Sequence, residues 1–148
     1  MEVLHLIYVS PLKSLASDIR ENLRRPLSGI MAEECINGLD YDLSSTLNIG
    51  IRTGDTPQSE RKRMIKHPPH ILITTPESLY LMLTSKTGKS ILATARAIII
   101  DELHAVIESK RGAHLMLSIA RLDKLCKEPL QRICLSVMSI LLRKQIFL

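Results

Sequence analysis

Ala97-Ile98-Ile99-Ile100 is an apolar run with no polar alternation, and it stops at two adjacent carboxylates, Asp101 and Glu102. A strand that is apolar on both faces belongs in the middle of a parallel sheet covered by helices. The fold class predicted from it is α/β, a mostly parallel sheet flanked by helices. Acids at the carboxyl end of such a strand stand where open α/β sheets bind their ligands. There one carboxylate can hold a divalent cation while its neighbour activates water, which is the acidic half of a nucleotide-hydrolysing site. The plainer alternative is a strand that ends in two solvated acids capping the next helix.

Strand-length and helix-length segments alternate along the rest of the chain, the pattern of βαβ units. Strands are predicted at Val3–Val9, Leu47–Arg52, His70–Thr74, Ala97–Ile100 and Arg132–Leu135. Pro11 is predicted to open a helix to about Arg25, with Leu12, Leu15, Ile19 and Leu23 on one face. Gly29–Ser45 reads as a second helix followed by a loop. Pro57–Lys66 reads as a polar, basic helix, and Pro76 starts a helix over Glu77–Leu83. Ala113–Cys126 reads as an amphipathic helix with Leu115, Ile119, Leu122 and Cys126 inward. Ser85–Ser90 reads as a polar loop. Within it, Thr87-Gly88-Lys89-Ser90 imitates the end of a phosphate loop, but the motif's first Gly falls on Leu83 and no strand precedes it.

The strand ends carry a second pattern. They read Ser10-Pro11-Leu12-Lys13, Arg52-Thr53-Gly54-Asp55-Thr56 and Thr74-Thr75-Pro76-Glu77-Ser78. In a parallel sheet such turns gather on one edge. Each precedes a helix and offers hydroxyls, free backbone N–H groups and a positive helix end, the parts of a phosphate-backbone binder. Taken singly, each is also an ordinary helix start using Ser, Thr and Pro. Arg61-Lys62-Arg63 is a solvated helix face or a source of nonspecific phosphate contacts.

Composition narrows the classes. A chain of 148 residues fits one domain with a sizeable core. Its net charge of +5 suits a polyanionic partner. Aromatic residues make up only 3%, with no Trp, which argues against a surface built on base stacking. Cys35, Cys126 and Cys134 offer neither a disulfide framework nor a metal spacing, so a cytoplasmic location is the simplest expectation. His5, His67, His70 and His114 have no paired ligand spacing. No apolar run reaches the ~20 residues of a membrane span. The abrupt opening strand and the apolar last residues, Leu141–Leu148, do not look like domain boundaries.

Four motifs stand in a telling order: Ser10-Pro11-Leu12-Lys13-Ser14-Leu15, Arg52-Thr53-Gly54-Asp55-Thr56, Ile73-Thr74-Thr75-Pro76-Glu77-Ser78-Leu79 and Asp101-Glu102-Leu103-His104. Their order and spacing resemble superfamily 2 DExH-box helicases, and within them the large helicase-related (Lhr) group. Arg111-Gly112-Ala113-His114-Leu115 and Pro129-Leu130-Gln131-Arg132-Ile133 resemble that group as well. The resemblance spans about residues 3 to 136. It implies an incomplete RecA-like domain of the P-loop NTPase type, the first motor domain of a helicase, with ATP and Mg²⁺ as cofactors. Asp101 would bind the Mg²⁺ of ATP, Glu102 would orient or deprotonate the attacking water, and His104 would couple nucleotide state to nucleic acid. Pro11, Lys13, Arg52, Thr53, Gly54, Asp55, Thr75, Pro76 and Glu77 would grip the backbone. The partners implied are single-stranded or duplex DNA, or an RNA–DNA hybrid, and the remainder of the motor, with no membrane.

The resemblance also implies an upstream phosphate loop and a second RecA-like domain, neither within residues 1–148. Residues 137–148 diverge: where the family has Ser-Ala-Thr, the chain reads Ser136-Val137-Met138. One codon choice for Met138–Gln145, read in a shifted frame, gives Val-Asn-Pro-Ile-Glu-Glu-Ala, similar to the family's continuation. The expectation is a fragment of an ATP-dependent DNA helicase that is inactive alone. The alternatives are a non-enzymatic nucleic-acid-binding remnant of a split or frameshifted gene, and an ATPase completed by a separate chain.

Overall fold

The computed structural model describes residues 3–36 and 47–136, with the backbone alone described for residues 27–36. The strands are β1 (Leu6–Val9), β2 (Ile49–Arg52), β3 (Ile71–Thr74), β4 (Ala97–Ile100) and β5 (Gln131–Cys134). They form one sheet in the order β2-β3-β1-β4-β5, and every pairing is parallel. The helices are α1 (Leu15–Ile36), α2 (Gln58–Lys66), α3 (Pro76–Thr84), α4 (Lys86–Leu92) and α5 (Lys110–Leu125). The α/β class with a parallel sheet is therefore observed, and its strands lie within a few residues of their predicted bounds.

The unalternating run of β4 is explained by its place between β1 and β5. Ile98 and Ile100 are buried with Ile7, Val9 and Leu72 against Leu79, Met82, Leu92, Leu115, Ile119 and Leu122 of α3, α4 and α5. Ala97 and Ile99 face the other way and are only half-buried. Burial is what makes both faces apolar, while the local backbone still alternates.

Several helix expectations are corrected. Pro11 does not open a helix; it is buried in the turn after β1, and α1 begins at Leu15. The Ser10 hydroxyl contacts both the N–H and the carbonyl of Leu12, which holds those residues in a non-helical turn. Leu12 is consequently 52% exposed instead of facing inward. At the other end, α1 does not stop at Arg25 but runs through Pro26 to Ile36. Pro26 leaves the Asn22 carbonyl without its helical donor, and both residues are exposed, so water can replace the lost bond. The helix expected from Gly29 is thus a continuation of α1, and residues 37–45 of that expectation lie outside the described residues.

The predicted loop Ser85–Ser90 is mostly helix α4. Ser85 caps it, its Oγ accepting the N–H of Gly88 at 3.0 Å. Gly88 allows a close approach of α4 to α3, since a Cβ there would lie 2.3 Å from the Met82 carbonyl oxygen. Gly88-Lys89 is therefore a helix junction and not a phosphate cradle. Helix α5 starts three residues before Ala113, because Ser109 caps it by accepting the N–H of Gly112 at 3.1 Å. Among the described residues no helix is long and apolar enough to cross a membrane.

Candidate functional site

Because the strands are parallel, their carboxyl ends make one edge. In sheet order it carries the turns after β2 (Thr53–Thr56), β3 (Thr75–Glu77) and β1 (Ser10–Lys13), then Asp101–His104 after β4 and Leu135–Ser136 after β5. All the predicted site residues lie on this edge.

Asp101 continues the ladder of β4 by one residue, its N–H donating to the Val9 carbonyl at 2.9 Å. Tyr8 stands opposite Ile99 in the register, so it shares a face with Asp101 two residues on. That diagonal separation is within reach of a phenol. The Tyr8 hydroxyl donates to Asp101 Oδ2 at 2.7 Å. The other oxygen, Oδ1, accepts the N–H of Glu102 at 2.8 Å. Burial first, and then the bond to Asp101 and the charges of Asp101 and Glu102, push the Tyr8 phenol far above its ordinary range. Tyr8 therefore stays protonated as the donor. Each Asp101 oxygen is aimed by one hydrogen bond and keeps acceptor capacity for a ligand.

Glu102 has φ 49° and ψ 40°, and is the described non-glycine residue in the left-handed region. Such a conformation stores about 1–3 kcal/mol of local strain. It turns the chain sharply into a short 3₁₀ segment, Leu103–Ala105, anchored by buried Leu103. The Leu103 N–H reaches the Leu135 carbonyl at 3.1 Å. The Glu102 carboxylate consequently lies 3.2 Å from His104 Nε2, and His104 Nδ1 lies 3.3 Å from Ser136 Oγ. A polar line thus joins the ends of β4 and β5.

The turns are braced to one another. Lys13 Nζ pairs with Asp55 at 3.2 Å, tying the β1 turn to the β2 turn. Arg111 on α5 donates to the Pro11 carbonyl at 2.8 Å and grips both oxygens of Glu77, tying the β1 turn to the β3 turn. Within the β2 turn, Thr56 Oγ1 accepts the Thr53 N–H at 2.8 Å, while Arg61 donates to the carbonyls of Thr56 and Gly54. Arg52 donates to the Thr53 carbonyl, and burial followed by the nearby Arg61 charge lowers its pKa. Thr75 caps α3 by accepting the Ser78 N–H. Lys13, Asp55 and Glu77, predicted as backbone contacts, are thus engaged within the protein. The Lys13–Asp55 pair is exposed, and such pairs are weak enough to open for a phosphate.

The Arg111 guanidinium holds Glu77 below the usual carboxylate range, more than offsetting its partial burial. A depressed folded-state pKa contributes stability above the unfolded value, lost as pH falls through the folded one. Glu77→Gln is therefore expected to flatten the acid limb of the stability profile below about pH 4.5. Urea midpoints across that range check it; an unchanged acid limb counts against the pair.

Tyr8 and Arg111 were not picked out as site residues from the sequence; Arg61 was read only within a run that is a solvated face or a source of nonspecific phosphate contacts, and Ser136 only as the start of a diverged motif. Tyr8 left one signal, a lone polar tip in the strand Leu6-Ile7-Tyr8-Val9. Arg111 lay in a motif whose role no spacing revealed.

Residues 2–137 match the family of DEAD/DEAH box helicases. The chain belongs to that family. It is 52% identical over 131 residues to the Lhr helicase/probable uracil glycosylase of Mycolicibacterium smegmatis, covering 88% of this chain and 8% of that protein. It is 47% identical over 122 residues to ATP-dependent helicase Lhr-Core protein 2 of Thermococcus barophilus, covering 82% of this chain and 14% of that one. The Mycobacterium smegmatis helicase Lhr bound to ssDNA and AMP-PNP matches with a TM-score of 0.86 and 50% identity, over 91% of this chain and 17% of that one. DEAD-box helicase Mss116 matches with a TM-score of 0.72 at 19% identity, a likeness of fold. The fold is RecA-like, and the similarity to Lhr proteins covers most of this DEAD/DEAH chain. The chain spans 8% and 14% of the length of the two curated relatives.

Proposed function

We propose that the chain is part of the first motor domain of an ATP-dependent, Lhr-type DNA helicase. The observation that carries this reading is the sheet edge, where the aimed carboxylate of Asp101 stands in line with three braced turns. Asp101 fits a magnesium nucleotide: it offers oriented, half-buried oxygen donors. No cluster of three or more metal-binding side chains occurs among the described residues. A single carboxylate suits an ion that takes its other ligands from phosphates and water. Magnesium bound there with ATP would neutralise charge on the transferred phosphoryl group.

Glu102 would orient or deprotonate the attacking water, and its contact with His104 links that carboxylate to Ser136 just after β5. Lys13, Arg52, Gly54, Asp55 and Glu77 are the accessible groups that would meet the DNA backbone, while the buried Pro11, Thr53, Thr75 and Pro76 shape the turns that present them. The ssDNA and AMP-PNP held by the similar Lhr structure support both assignments. A duplex or RNA–DNA hybrid offers the same phosphates. Cys126 and Cys134 are free thiols, which supports a cytoplasmic location.

Among the described residues no glycine-rich loop joins a strand to a helix. The phosphate cradle and the second RecA-like domain are therefore assigned to the remainder of the motor. Phosphoryl transfer depends on positioning and charge stabilisation. The isolated chain is expected to show no measurable DNA-stimulated ATPase. Turnover by the chain alone that Glu102→Gln abolishes would overturn this. Recovery on adding a segment with the phosphate loop supports a split motor. DNA binding without nucleotide binding, even then, would favour the remnant.

A further inference from the structure

Helix α5 carries a basic flank that the strand-end edge does not use. Lys110, His114, Arg121 and Lys124 are all exposed, spaced 4, 7 and 3 residues apart, so they share one side of the helix. That side faces α3: Tyr80 meets His114 edge-on at 4.5 Å between ring centroids, and the Arg121 guanidinium lies 5.9 Å from the Tyr80 ring centre. Toward the far end of α5 the flank opens into a groove of ≈ 520 Å³ lined by Leu83, Thr84, Lys89, Arg121, Lys124 and Leu125. Its three charged residues are all cations.

The nearby acids are engaged elsewhere. Glu77 holds Arg111, Asp123 holds Arg132 and Glu128 holds Arg96. Lys89 and Lys124 have no ion pair among the described residues. The near end of the flank is continuous with the strand-end edge, since Arg111, beside Lys110, donates to the Pro11 carbonyl. The thirteen-residue step from Arg111 to Lys124 covers about 20 Å of helix.

We propose that this groove is a second nucleic-acid site, where Lys89, Arg121 and Lys124 bind the phosphodiester backbone leaving the strand-end edge. The proposal rests on the reading that the chain binds nucleic acid, and it adds a contact about 20 Å away along α5. Cations held apart on rigid helices match a repeating line of phosphates. The edge supplies continuity that favours nucleic acid over an acidic peptide.

The test is fluorescence anisotropy of a labelled 20-nucleotide single strand with the 148-residue chain across a salt series. Three chains are compared with wild type. The groove variant carries Lys89→Gln, Arg121→Gln and Lys124→Gln. The edge variant carries Lys13→Ala and Arg52→Ala. The charge-preserving variant carries Lys89→Arg, Arg121→Lys and Lys124→Arg. Losing three phosphate contacts should lower the log–log salt slope by about 2 for single strands. The groove variant is expected to show that loss with an unchanged circular dichroism spectrum, and the charge-preserving variant to keep the wild-type slope. A wild-type slope in the groove variant, with binding lost in the edge variant, overturns the groove alone. Binding kept in the edge variant and lost in the groove variant supports the groove while overturning the strand-end reading. A loss of slope in the charge-preserving variant assigns the effect to packing and overturns the proposal. Polyglutamate that displaces the strand at equal charge concentration, from wild type but not from the groove variant, assigns the groove to acidic peptides and also overturns it.

Discussion

Gly112→Ala is expected to destabilise the chain by about 3 kcal/mol, at the upper end of ordinary overpacking. A Cβ at this position would lie 2.0 Å from the Val106 carbonyl oxygen, 2.7 Å from the Val106 carbonyl carbon and 3.2 Å from Ile107 Cα. All three are backbone atoms, so no side-chain rotation relieves the clash. Val106 is itself buried at 2% exposure and donates to the Leu103 carbonyl, so it cannot retreat freely. The start of α5 must shift, which disturbs the Ser109 cap and the segment that follows Glu102. Gly54→Ala is the control. There a Cβ would meet only the tip of the Lys13 side chain, at 3.2 Å, and that tip can swing into solvent. Its effect is expected within about 0.5 kcal/mol. Urea unfolding followed by circular dichroism compares the two. Because a domain of this kind holds only about 5–15 kcal/mol in all, the first change is easily read. Equal midpoints would show that the α5 start yields more easily than the packing implies.

The sheet was legible because a central parallel strand, apolar on its buried face and on its half-buried one, reads as an unbroken apolar run. Ala97–Ile100 could hardly be anything else, and the turns beside it followed from Pro, Gly and hydroxyl residues. What was hidden has local physical causes. Pro26 reads as a stop because its missing N–H is normally ruinous, yet Asn22 and Pro26 are exposed, so the freed carbonyl is open to solvent. Ser85–Ser90 reads as a loop because Gly and Ser are poor helix formers. Its helix is instead held by a cap and by contacts with α3, which a sequence window does not contain. The acids of the site were legible as residue types at a strand end. Their bracing was not, because Tyr8 lies 93 residues from Asp101, and Arg111 lies 34 from Glu77 and 100 from Pro11. Lys13 read as a free phosphate contact because nothing in the chain's order announces Asp55 as its partner.

Within a full-length motor containing this segment, Glu102→Gln is expected to lower the ATP turnover number by about 10²–10⁴-fold, the range of a lost general base. DNA and nucleotide affinity should be nearly unchanged, because the amide keeps the shape and the left-handed backbone of the turn. Tyr8→Phe acts on the neighbouring carboxylate and should behave differently. It removes the 2.7 Å donor to Asp101 Oδ2 and leaves the Glu102 N–H on Oδ1. A hydrogen bond to a charged group is worth about 1.5–3 kcal/mol, or about 10–150-fold. If Tyr8 aims Asp101 toward the metal, that loss should fall on the magnesium concentration for half-maximal activity, with a smaller fall in turnover at saturating magnesium. A steady-state series over magnesium, with single-turnover ATP cleavage alongside, separates the two residues. Retained turnover in Glu102→Gln would remove it as the base and leave the strained turn unexplained. A magnesium profile unmoved by Tyr8→Phe would reduce the phenol to packing. The two carboxylates divide the labour only if one variant changes the chemical step and the other changes the ion's hold. The geometry predicts that division, because Asp101 is aimed from β1 and Glu102 is turned toward β5.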